Sequence, residues 1–509
     1  MINERPMNRR DFLKHSAALA SAGMALNIGL SPRSYAANQS LIELTATQAV
    51  AAMRKGEISA EAYATALLDR AAATKSLNAF INLDREATLA AARKADKQRT
   101  SGATLGALHG LPIPVKDAVN TKDFATTAGT GALLGFRPMT NAPVVESLLS
   151  AGGILMGKTN IHELSYGWTS NNKITGATHN PYDPTRIPGG SSGGSGAAVA
   201  ALVAPMAVAE DTFGSIRVPA MMCGVCGLRP SFERYSNAGI MPIAPKFFDT
   251  PGPLARSVAD LALFDSVMTG NNAPLQEKSL QGARIGIAPD YFLAGLDPEV
   301  QRVMDQTIAK LQEAGAVLVW ANLPGPVNNS MGHGFSVMSR DTVPSIKTFL
   351  EEHKTGVSFD QLLQKMSPEM RGLFEAFALP GGAMYATAQS YQSAVEQLGV
   401  IRQSMRDYFR NQQVAAIAFP PVMVPATPIG QEAEVEIAGK KVPLSVVMAR
   451  NIAVGSCASL PGLVLPAGQT SNGLPVGIEF DAAQGSDRDL LALGLALEKV
   501  LGPMPVPKL

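Results

Sequence analysis

"GGSSGGSG", Gly189 to Gly196, packs five glycines and three serines behind Pro188, and an alanine-rich run of helical character follows it directly. A loop of this composition suits three ends: a cradle for a phosphate, a flexible connector, or a serine hydroxyl laid against buried backbone. No lysine follows its glycines, so it is not a phosphate-binding P-loop. Its glycines allow very close backbone packing, and its serines can turn inward. Two flanking stretches bear on the choice. Upstream, "PVKDAV" sets Lys116 among apolar neighbours, where burial lowers an ammonium pKa and yields a neutral base. Downstream, "EDTFGSIRVPAMMCGVCGLRP" places Ser215 in a second tight turn beside a short strand.

Working outward, the pattern alternates between helices and short apolar strands. "TATQAVAAMRKGEISAEAYATALLDRAAAT" reads as two helices divided at Gly56, with Ser59 capping the second. "GALHGLPIPVKDAV" reads as a turn into a buried strand, and "VVESLLSAGGILMGKTN" as helix, Gly-Gly stop and strand. The run "SGAAVAALVA" is then a helix and "PMAVAED" another buried strand. The same alternation returns over 256–320. Residues 325–412 are largely helical, with scattered Phe, Met and Tyr, and "AAIAFPPVMVPATP" and "LPGLVLPAG" restore strands before a closing helix, "SDRDLLALGLALEKVL". The class is therefore α/β, helices sandwiching a sheet. One domain, 38–509, with 325–412 as a cap-like helical insertion, is the simplest division.

The 509 residues are 46% apolar and nearly neutral, 43 basic against 42 acidic. That is enough to bury a large core, and it argues against nucleic acid or an anionic membrane as partner. Residues 1–37 read as a twin-arginine export signal. "NRRDFLK" carries paired arginines, "SAALASAGMALNIGL" is an uncharged run too short for a comfortable span, and "RSYAAN" offers cleavage near Ala36 or Ala37. The expected location is periplasmic or secreted, with no stable membrane insertion after export. Cys223 and Cys226 form a C-x-x-C in the apolar "MMCGVCGL", without a second ligand pair, and read as buried small hydrophobes. The histidines show no metal-ligand spacing. Neither a metal nor a cofactor is expected.

The three pieces around Lys116, Ser191 and Ser215 together resemble the amidase signature family. "LHGLPIPVKD", "GKTNIHELSYG", "IPGGSSGGSGAAVA", "GSIRVPAMMCGVCGLRP" and "LPGLVLPAGQTSNGLPVGIEF" all look like family segments in family order, over about residues 45–500. The resemblance implies the amidase signature fold, a mixed central sheet between helices. It implies that Lys116 is the catalytic lysine, Ser191 a bridging serine on a cis peptide, and Ser215, 24 positions later, the nucleophile. Backbone N–H groups of Thr212, Phe213, Gly214 and Ser215 are then the expected oxyanion hole. Ser192 is expected to hydrogen-bond within the relay, and Asp211 and Arg217 to brace the loop. Two positions depart from the family: Phe213-Gly214 replaces Gly-Gly, and Glu210 stands where Thr is common. Phenylalanine would be strained if position 213 required positive φ; otherwise Phe213 narrows the pocket.

"NIHELSYGWTSNN" and "RYSNAGIMPIAPKFFDTPGPLARSVADLALFD" look most similar to the branch of indoleacetamide and mandelamide hydrolases, with aryl acylamidases nearby. Tyr166, Trp168, Phe213, Phe335 and Met338 are the candidate pocket walls, apolar and aromatic. The expected substrate is thus a small neutral aromatic carboxamide or anilide. Two other readings remain: the glutaminase subunit of a tRNA-dependent amidotransferase, opposed by the export signal, and a binding protein on a weakened amidase fold. The oligomeric state is left open, a homodimer included.

Overall fold

The apolar strands read from the sequence assemble into one mixed sheet in the computed structural model, which describes residues 40–509. The expected export signal lies outside the described residues. In spatial order the strands are Phe80–Leu83, Ile154–Thr159, Pro112–Lys116, Met206–Asp211, Thr250–Ala255, Cys226–Arg229, Gly462–Gln469, Pro475–Asp481, Ala416–Phe419, Arg284–Ile287 and Val317–Trp320. Pro112–Lys116 runs parallel to both neighbours. The middle of the sheet, from Met206–Asp211 to Ala416–Phe419, pairs antiparallel. Pro112–Lys116, Met206–Asp211, Thr250–Ala255 and Pro475–Asp481 are wholly buried, as strands covered on both faces must be. Leu41–Leu509 forms one compact unit.

Local chemistry sets the elements. Gly56 ends the Ala46–Lys55 helix in the left-handed region at φ 75°, and the Ser59 side chain caps Ala60–Ala73 by accepting from the Ala62 N–H. The glycine-serine loop runs straight into a helix, Gly193–Ala200, with every residue buried. A Cβ on Gly194 would sit 2.4 Å from the Asn160 backbone nitrogen. The glycine is there because two backbones touch.

The strand Thr250–Ala255 was not legible in advance. Its sequence TPGPLA holds two prolines, which ordinarily argue against a central strand. They are tolerated because the ladder to Cys226–Arg229 involves only Leu254 and Ala255. The prolines therefore interrupt no bond on that side.

Residues 325–412 are helical as expected, with α-helices Ser330–Glu352, Phe359–Lys365, Pro368–Phe377 and Ala388–Gln412. They are not a detached lid. Val337, Met338, Leu398 and Met405 share one apolar cluster with Phe213, Phe248 and Cys457, so the cap's inner face continues the core.

Two glycines give opposite expected outcomes in urea unfolding. Gly194→Ala overpacks a rigid contact and should cost about 1–3 kcal/mol. Gly399 is exposed inside the Ala388–Gln412 helix with open space at its Cβ, so Gly399→Ala should stabilise by about 0.5–1 kcal/mol.

Candidate active site

Lys116 closes the strand Pro112–Lys116, and Glu210 and Asp211 close its parallel neighbour Met206–Asp211. Carboxyl ends of parallel strands are where open α/β sheets place their ligand sites. Lys116 is fully buried, and its Nζ lies 2.6 Å from both Ser191 Oγ and Glu210 Oε1. The Gly190–Ser191 peptide is cis. The Ser191 carbonyl accepts from the His162 backbone N–H at 3.1 Å and from Ser170 Oγ at 3.3 Å, which fixes the residue in place. Burial pulls the Lys116 pKa below its ordinary value, with the Glu210 carboxylate the strongest opposing influence.

Ser215 lies in the turn between Met206–Asp211 and the helix Arg217–Cys223, 5% exposed and facing a cavity. Among the described residues no hydrogen bond joins its hydroxyl to Ser191. Asp211 organises the turn. Its carboxylate accepts from the backbone N–H of Gly214 (2.8 Å) and Ile216 (3.0 Å), from Arg217 Nε and Nη2 (both 3.0 Å), and from Arg229 Nη1 (2.9 Å). Burial alone would raise its pKa, but Arg217 and Arg229 outweigh burial and hold it far below the carboxylate range. Asp211 and Arg217 therefore sit as braces.

Two expectations change, and the condition placed on Phe213 is not met. The Gly214 N–H is occupied by Asp211, so of the four amides expected to form the oxyanion hole only Thr212, Phe213 and Ser215 have no acceptor among the described residues. Ser192 does not reach Lys116 or Ser215; its hydroxyl donates to the Glu210 main-chain carbonyl at 3.2 Å. Phe213 is not strained. Positive φ falls on Gly214, at 102°, where a Cβ would sit 2.1 Å from Ile452 Cδ1, and Phe213 has no positive φ.

Two further motif matches are overruled by geometry. Gly152–Thr159 reads G-x-x-x-x-G-K-T, but it runs into a strand, and Lys158 is buried with its Nζ on the Val119 carbonyl and Thr126. No loop is left to cradle a phosphate. Gly189–Gly193 reads G-x-S-x-G, yet the partner of Ser191 Oγ is a lysine, not a histidine.

Tyr166, Trp168, Phe213, Phe335 and Met338 all line the same cavity of about 230 Å3 as Ser215. Phe335 is the hub: its ring centroid lies 6.3 Å from Trp168, 6.0 Å from Phe213 and 6.0 Å from Phe377. The Trp168 Nε1–H donates to the Phe213 carbonyl at 2.7 Å, which ties the pocket wall to the turn that carries Ser215. No charged side chain lines the cavity among the described residues. Sequence reasoning missed Leu373 and Phe377, spaced four apart on one helix face, and also Ile243 and Met384. Asp249 was missed as well. Its carboxylate holds the Ile243 and Ala244 amides and the Thr212 hydroxyl, and its pKa is raised to about 6 by burial and the nearby Glu210. Only Leu373 and Phe377 left a sequence signal, their helical spacing. Cys223, Cys226 and Cys457 are buried free thiols, as their apolar setting suggests.

Residues 62–491 match the family described as Amidase. Mandelamide hydrolase of Pseudomonas putida is 37% identical over 495 residues, covering 93% of this chain and 95% of the relative. Indoleacetamide hydrolase of Agrobacterium vitis is 36% identical, covering 89% of this chain and 96% of the relative. A crystal structure of an amidase superposes with a TM-score of 0.81 at 32% identity, covering 90% of this chain and all of that one.

Asp211→Ala would leave the buried Arg229 without its anion and Arg217 with Glu479 alone, so it should cost about 3–5 kcal/mol in thermal or urea unfolding. A loss below about 1 kcal/mol would show that Asp211 does not brace the turn.

Proposed function

This chain belongs to the amidase family and is an amide hydrolase, and from that premise we propose that it cleaves small neutral aromatic amides through an acyl-enzyme on Ser215. The observation that carries the reading is the fully buried Lys116 Nζ–Ser191 Oγ contact of 2.6 Å beside the cavity that Ser215 faces. Lys116, as an amine, takes the Ser191 proton while Ser191 takes that of Ser215, and Ser215 Oγ bonds to the amide carbon. The oxyanion is met by the amides of Thr212, Phe213 and Ser215, each such donor typically worth about 3 kcal/mol. The proton returns through Ser191 to the leaving nitrogen as the C–N bond breaks. Water then releases the acid and frees Ser215.

The walls support the substrate class. Aromatic and aliphatic surface favours a neutral ring by roughly 25 cal/mol per Å2 buried. With no cation on the lining, a substrate carboxylate would enter without a partner. The relatives' names, mandelamide and indoleacetamide hydrolase, point the same way. The paired arginines and apolar run of the first 37 residues support export by the twin-arginine route; replacing both arginines should retain the protein in the cytoplasm on fractionation.

Ser215→Ala should abolish labelling by a fluorophosphonate, and Lys116→Ala should lower kcat/KM near pH 7 by about 100-fold or more. Among phenylacetamide, an acetanilide and glutamine, either aromatic amide should be preferred; a clear preference for glutamine would sink the substrate assignment. Phe213→Ala should move preference toward bulkier amides, read as a changed ratio of kcat/KM across a size series.

A further inference from the structure

Glu210 occupies the position where the family resemblance leads to threonine, and its carboxylate does what a hydroxyl could not. It is 2% exposed and lies 2.6 Å from Lys116 Nζ, which makes an equally short contact to Ser191 Oγ. A neutral amine has two N–H donors and one lone pair. To receive a proton from Ser191, the lone pair must face Ser191 Oγ. An ionised carboxylate only accepts hydrogen bonds, so it engages one N–H and turns the lone pair the other way, toward Ser191. A threonine hydroxyl could instead donate to that lone pair and block it.

The same carboxylate stabilises the ammonium against the amine. Facing Lys116 are Glu210 and Asp211 from the adjacent strand, Asp249 from the following loop, the Ser191 hydroxyl, and His162. Asp211 is already neutralised by Arg217 and Arg229, and Asp249 is turned to Thr212 and two amides. Glu210 is the one in direct contact. We propose that Glu210 is a positioning residue of the relay: its carboxylate aims the Lys116 lone pair at Ser191 and sets the pH above which the base is free. Below that pH Lys116 is the ammonium, and loss of its proton gives the competent amine. During acylation the Ser215 proton reaches Ser191 as the Ser191 proton reaches Lys116, and the ammonium forms again beside its counter-charge. The pair thus delays activation to higher pH and steadies the acylation step once activated.

The inference rests on Lys116 being the base, and the test separates the two. The readout is the rate of fluorophosphonate labelling of Ser215 against pH, for the full chain and for Lys116→Ala, Glu210→Gln and Glu210→Asp, with folding checked by thermal unfolding. Glu210→Gln keeps an acceptor and removes the charge. Its acid limb should move down by about one to three pH units, with a lower plateau. Glu210→Asp keeps the charge and withdraws it, so the limb should stay near the parent's while the plateau falls. If Lys116→Ala labels like the parent, the relay itself fails and takes this inference with it. If Lys116→Ala is inactive but Glu210→Gln leaves the limb in place, only the role of Glu210 is overturned. Should Glu210→Gln not fold, Glu210→Asp decides: a profile identical to the parent's overturns the inference, and a lowered plateau on an unmoved limb supports it.

Discussion

Everything at the site follows from a lysine placed where water cannot reach it. Lys116 ends a strand whose five residues are all buried, in the parallel part of the sheet. An ammonium there would be costly without partners. The fold supplies two at 2.6 Å, one neutral and one charged. In the proposed relay the serine would give the proton a route, and the carboxylate would give the nitrogen a direction and a counter-charge.

The turn that carries Ser215 is held by its own set of charges. Asp211 and Glu210 are neighbours in sequence, but alternation along the strand sends them to opposite sides. Glu210 meets the lysine; Asp211 meets Arg217 and Arg229. Behind Arg217 lie the buried Glu479 and Asp481, both raised by burial, Asp481 further by Glu479 beside it. The turn is therefore rigid on its inner side and open only where Ser215 faces the cavity.

Much of this was legible in the sequence, for reasons that differ by element. Strongly periodic or uninterrupted apolar runs gave the helices and parallel strands, because burial on both faces leaves that mark locally. The glycine-serine loop was legible because close backbone approach admits only small residues. What could not be read was long-range. Thr250–Ala255 becomes a central strand only because its neighbour's ladder stops short of the prolines. The Gly214 amide is lost to the oxyanion hole because Asp211, three residues earlier, takes it. Glu210 was visible as a departure from the family, but its partner lies 94 positions away. Only the sheet order brings the two together.

The cap shows how specificity and stability become coupled. Phe213 precedes the turn glycine, and its ring packs against Gly334 of the Ser330–Glu352 helix so closely that a Cβ there would lie 2.0 Å from its Cζ. Phe335, the next residue, sets its own ring among Trp168, Phe213 and Phe377 in tilted and edge-on contacts. The pocket wall, the cap helix and the residue beside the nucleophile thus form one packed cluster. A change in cap sequence that reshapes the pocket must also shift Phe213, and with it the amide that would meet the oxyanion.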